Sequence, residues 1–138
     1  MLPFLMSVLF AAGSLDPSVL TVPIVHAEEL PKVWTQEEVK QYALEVATEF
    51  GLHKYRFLKT LECENGFNAK GQSNHYYKGQ RELSFGAVQI NLPSWPGITK
   101  EMAEEPTFAI PFMAQKWVEN RANLWACYTL FSRQGWSR

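Results

Sequence analysis

Apolar residues between positions 39 and 50 recur as Val39, Ala43, Val46, Ala47 and Phe50, the three- and four-residue spacing that gives a helix one buried face. Just upstream, Thr35-Gln36-Glu37-Glu38 has the spacing of a capping box, in which hydroxyl and carboxylate each satisfy a free backbone N–H. Gly51 stands where a left-handed C-terminal cap is wanted. A second helix is predicted from about His53 to Asn65, with Phe57, Leu58 and Leu61 on its buried side and Gly66 ending it. From Ala69 to Arg81 no apolar period survives, and the stretch reads as a long polar loop or an irregular hairpin, the kind of segment that often lines a binding site. Ser84 to Asn91 reads as a short extended or turn-like element, closed by Leu92-Pro93 and Trp95-Pro96-Gly97. Helical structure then resumes. Thr99 caps a short helix through Ala103, and a longer helix begins near Thr107, since Pro111 is tolerable only within about the first turn. Phe112, Met113, Trp117 and Leu124 are its expected core, and a last helical segment covers about Leu124 to Phe131.

Length and composition narrow the classes. The chain has 138 residues, 46% of them hydrophobic and 14% aromatic, enough for one compact domain and too few for two. A net charge of −1, with both signs scattered along the chain, provides no basic stripe for phosphates, so nucleic acid is not an expected partner. The two cysteines, Cys63 and Cys127, and the histidines His26, His53 and His75 match no zinc-ligand spacing. No metal and no cofactor are expected. Residues 1–27 hold an apolar run from Leu2 to Ala12 and end Val25-His26-Ala27, small residues around a larger one, as a signal peptidase site requires. The expectation is a signal peptide or an N-terminal anchor, and with it export to the cell envelope, the periplasm or the medium. A retained segment would give peripheral membrane association, because the run is too short to span a bilayer. Residues 28–34 then form a short linker, 35–132 the domain and 133–138 a C-terminal tail, with a monomer as the expected state.

Two acids stand near the end of the second helix. Glu62 and Glu64 project about 160° apart at 100° per residue, so they do not form a cooperating pair. Glu64 follows Phe57 by seven positions and Leu61 by three, which sets it beside the apolar stripe and desolvates it. A desolvated carboxyl holds its proton near neutral pH, as a general acid acting on a glycosidic oxygen must. Glu62 lies on the other flank near Leu58, so helical geometry alone leaves the choice between them open, beside the plain alternative of two solvated helix-end acids.

Glu64-Asn65-Gly66-Phe67-Asn68 followed by Ser84-Phe85-Gly86-Ala87-Val88-Gln89-Ile90-Asn91 resembles the two leading motifs of the soluble lytic transglycosylase family, in their order and at a compatible separation. The resemblance covers roughly Val39 to Phe131. It favours Glu64 over Glu62, because the acid of that family opens a Glu-x-x-Phe pattern, which Glu64 and Phe67 satisfy. It implies a mainly α, α+β lysozyme-like fold: a helical domain with a short β or turn element lining a glycan cleft. The implied substrate is the peptidoglycan glycan strand. In such enzymes one glutamate protonates the bond between N-acetylmuramic acid and N-acetylglucosamine, then as carboxylate takes a proton from the muramyl 6-hydroxyl, leaving a 1,6-anhydro sugar.

By the same resemblance Ser84 and Gln89 are expected beside Glu64, hydrogen-bonding the substrate or the acid, with Phe67 and Tyr128 as further substrate-site residues. The alternatives for Ser84 and Gln89 are a turn cap and a backbone-bonded strand residue. The family's Met before Gln is Val88 here. Its third motif, Ala-Tyr-Asn followed by Gly, is replaced by Trp125-Ala126-Cys127-Tyr128-Thr129, so Tyr128 either orients the catalytic carboxylate or is a packed aromatic. Goose-type lysozymes, which share that fold, hold an attacking water with an additional acid, for which Glu82 is the candidate. Trp95, Trp117 and Trp125 are candidate sugar-stacking faces or core. Cys63 neighbours the acid and Cys127 lies in the helix that the family packs against it, so the pair is a disulfide or two buried thiols. Three functions follow as alternatives: a lytic transglycosylase, a lysozyme-type hydrolase, or a peptidoglycan-binding module that has lost turnover. An α-helical interaction protein unrelated to glycans is a fourth.

Overall fold

The computed structural model describes residues 30–136. The expected signal or anchor segment, residues 1–27, lies outside them. The chain divides into two units, residues 1–33 and 34–138. Residues 30–33 carry no regular structure. The second unit is about half helical, with five α-helices and two small antiparallel sheets among the described residues. Among those residues no helix is long and apolar enough to cross a membrane.

Helix α1 covers Gln36–Glu49 and starts on the capping box: Glu38 N–H donates to Thr35 Oγ1 (3.1 Å), and Thr35 N–H donates to Glu38 Oε1 (3.0 Å). Val39, Ala43, Val46 and Ala47 are its buried face. Helix α2, Lys54–Asn65, is capped by His53, whose side chain accepts from Arg56 N–H, and stops at Gly66 in the left-handed conformation. It buries Phe57, Thr60 and Leu61, and Thr60 keeps its hydroxyl satisfied by donating to the carbonyl of Arg56 (2.8 Å). Helix α1 packs against both α2 and the long helix α4, Pro106–Val118, which follows the single-turn α3, Lys100–Ala103. Helix α4 begins one residue earlier than the spacing predicts, because Pro106 occupies its first position and Glu105 accepts from Thr107 N–H. Ile110, Met113 and Ala114 on this helix meet Phe57 and Leu61 in the core.

The polar stretch after α2 resolves as a hairpin. Strands β1 (Tyr76–Tyr77) and β2 (Gln80–Arg81) pair antiparallel, Tyr76 with Arg81 and Tyr77 with Gln80. The turn between them is Lys78-Gly79, both at positive φ (51° and 80°), the two-residue geometry that suits strand twist. Strands β3 (Ser84–Phe85) and β4 (Ile90–Asn91) form the second sheet, both strands lying against the core.

The end of the chain departs from the sequence expectation in where its last helix lies and in the placing of Leu124. Residues Ala122–Leu124 form a 3-10 turn, and helix α5 runs over Ala126–Arg133. Leu124, expected in the core, is 47% exposed, while Trp125 is buried and its indole N–H donates to the carbonyl of Val88 (2.7 Å). The tighter turn rotates Leu124 outward and brings Trp125 inward. A disulfide between Cys63 and Cys127 ties the end of α2 to the start of α5, with Cα atoms 6.1 Å apart. Closing a loop over a sequence separation of 64 stabilises the fold by on the order of 2–4 kcal/mol.

Candidate active site

The end of α2, the β3–β4 segment, the 3-10 turn and the start of α5 enclose a cleft of about 560 Å³, and Glu64, Glu82, Ser84 and Gln89 all line it. Glu64 sits in the last turn of α2, three residues after the fully buried Leu61. Its Oε2 accepts the backbone N–H of Cys127 (3.2 Å), a free donor in the first turn of α5 that the disulfide holds in place. Burial pushes the Glu64 carboxyl from 4.5 up to about 7; the Cys127 N–H pulls it down, and the charge of Glu82 adds a further upward push. Near neutral pH the carboxyl is thus divided between its acid and base forms. Glu62, by contrast, is exposed.

Glu82 is held from both sides. Its Oε1 accepts from Ser73 Oγ (3.1 Å) and its Oε2 from Ser84 Oγ (2.7 Å), while Asn91 Nδ2 donates to the same serine oxygen (3.3 Å). Ser84 is 2% exposed, and its hydroxyl proton goes to Glu82 rather than to Glu64. Gln89 lines the cleft but spends its amide N–H groups on the carbonyls of Gly71 (3.1 Å) and Gly86 (2.9 Å), so it braces the wall. Gly86 has no freedom to vary. Its φ is +88°, and a Cβ there would overlap the carbonyl of Ala103.

Phe67 and Tyr128 are placed elsewhere. Phe67 is 7% exposed and belongs to the core; it adopts φ 63° just past the helix end, which turns its ring inward under Lys40. Tyr128 packs edge-on against Trp117 and Trp136 in a separate hollow on the far side of α5, because successive helical residues point about 100° apart. The backbone of Cys127, one residue earlier, contacts the carboxylate instead. Of the tryptophans, Trp95 and Trp125 line the cleft and Trp117 does not. Sequence reasoning missed Asn65. Its Nδ2 lies within hydrogen-bonding distance of the carbonyls of Asn68 (3.3 Å), Lys70 (3.1 Å) and Gly86 (3.0 Å), tying the loop after Glu64 to the β3–β4 turn. Its position between the acid and a helix-ending glycine was the available signal. Among the described residues no three His, Cys, Asp or Glu side chains gather as a metal site.

Comparison with protein-family models, curated proteins and solved structures gives no match to this chain.

Proposed function

We propose that this chain is an exported lysozyme-like enzyme that cleaves the glycan strands of bacterial peptidoglycan by the lytic transglycosylase reaction. The observation that carries this reading is the Glu64 carboxyl: lodged in the wall of an open cleft, raised to about 7, and oriented by a single backbone donor. Such a group gives up a proton and takes one back within one turnover at neutral pH. As acid, Glu64 protonates the glycosidic oxygen while the bond from the muramyl C1 to that oxygen breaks. The muramyl 6-hydroxyl oxygen then bonds to C1, and its proton returns to the Glu64 carboxylate. No water is consumed and no second carboxylate takes part. Hydrolysis is the second reading, favoured by Glu82, a further carboxylate on the cleft wall whose charge is felt at Glu64.

Mass spectrometry of the soluble products released from purified peptidoglycan tests this. Anhydro-muropeptides, lighter by one water than hydrolytic products, are expected. Reducing-end muropeptides would replace the transglycosylase reading by hydrolysis with Glu82 in the mechanism. No release, from folded protein that still pellets with the wall, would make the domain a binding module.

A further inference from the structure

The hairpin β1–β2 continues the cleft wall outward, and its two tyrosines are not equivalent. The antiparallel register that pairs Tyr76 with Arg81 and Tyr77 with Gln80 extends one step further, since Glu82 N–H donates to the carbonyl of His75 (2.8 Å). Side chains alternate across a strand, so the pairs His75/Glu82 and Tyr77/Gln80 share one face, while Tyr76/Arg81 lie on the other. His75 and Glu82 both line the cleft. The face bearing Tyr77 and Gln80 is therefore the cleft wall carried on by two residues, about 7 Å along the strand.

The opposite face anchors the hairpin. Arg81 Nε donates to the carbonyl of Ser73 (2.7 Å), and its Nη2 donates to the carbonyl of Gln72 (3.3 Å) and to Asn74 Oδ1 (3.1 Å). Ser73 in turn holds Glu82. With a tight Lys78-Gly79 turn at its tip, the ribbon is fixed to the site through the network that fixes Glu82. Yet Tyr77 is 74% exposed and Tyr76 is 65% exposed, two large rings largely in water, with Lys78 Nζ over the Tyr77 ring at 5.4 Å from its centroid.

We infer that Tyr77, with Gln80 beside it, is a platform for a sugar ring of the glycan strand just outside the cleft. The flat apolar face of a pyranose stacks on the exposed phenol ring, and Gln80, its cross-strand neighbour, offers an amide for the sugar's hydroxyls. This rests on the glycan-cleaving reading of the cleft. The platform adds binding remote from the reacting bond, so it acts on substrate long enough to reach it.

Steady-state cleavage of a tetrasaccharide and an octasaccharide prepared from the same glycan strand tests the assignment. Tyr77→Ala should raise KM for the octasaccharide about five- to tenfold, leaving its kcat and both constants for the tetrasaccharide unchanged. Tyr77→Trp should restore the wild-type KM, and Tyr76→Ala, at an exposed ring on the other face, should leave it alone. An unchanged octasaccharide KM in Tyr77→Ala, or an equal loss in Tyr76→Ala, would overturn the platform while the wild type still cleaves. A folded wild-type protein that cleaves neither saccharide would instead remove the glycan reading of the cleft, and the platform with it.

Discussion

Helix α5 contributes to two concavities that differ in chemistry. On one side lies the Glu64 cleft, about 560 Å³; on the other lies a hollow of about 370 Å³ lined by His53, Arg56, Trp117, Asn120, Asn123 and Tyr128. Both carry polar side chains and aromatic rings. The hollow has cationic and neutral groups and no carboxyl, whereas the cleft holds one half-buried carboxyl and a second one nearby whose oxygens are both occupied. Concavity and aromatic rings are shared; a desolvated carboxyl held by a backbone donor is not. Cys127 and Tyr128, adjacent in sequence, belong to different sides, which explains how a backbone N–H rather than a phenol comes to orient Glu64.

The largest expected disruption of this contrast comes from Gly86→Ala. The added methyl overlaps the Ala103 carbonyl at a positive φ, so the cleft wall must move, at a cost on the order of 3 kcal/mol in urea unfolding. A neutral Gly86→Ala would mean that the wall is slack. Next in size is the pH dependence of stability. Folding raises the Glu64 carboxyl from 4.5 to about 7, so its contribution to stability is fully present below about pH 4.5 and is lost as pH rises through about 7. A glutamine cannot ionise. Glu64→Gln should therefore be more stable than wild type by on the order of 1–3 kcal/mol at pH 8, and no more stable at pH 4. Equal stability at both pH values would place the carboxyl in water. The smallest effect belongs to the far side of α5. Tyr128→Phe should leave turnover on peptidoglycan within about twofold of wild type, because the ring contacts with Trp117 and Trp136 survive. A large loss would mean that the phenol acts on the cleft after all.

Local rules made much of this arrangement legible. The Thr35/Glu38 capping box and the Gly66 stop announced α1 and α2, because both depend on residues within one turn of each other. The offset to Phe57 and Leu61 made Glu64 one of two candidate acids, and the Glu-x-x-Phe resemblance favoured it over Glu62. The partners of the site residues were not. Ser84 donates to Glu82, and Gln89 to Gly71 and Gly86, through contacts decided by how the loop from 69 to 82 folds back, which no periodicity encodes. Leu124 was misread as core because a 3-10 turn changes the angular step on which helical spacing relies. The β1–β2 register depends on a turn of two residues at positive φ, one of them Lys78, a residue type that does not advertise such a turn.

The most direct test of the account is the turnover of purified peptidoglycan by wild type and Glu64→Gln, side by side at neutral pH. Removing the proton carrier should lower the rate of muropeptide release by about two to four orders of magnitude, while the variant stays folded and still sediments with the wall. Release close to the wild-type rate from Glu64→Gln would contradict the assignment of Glu64, and with it the chemical distinction between the two sides of α5.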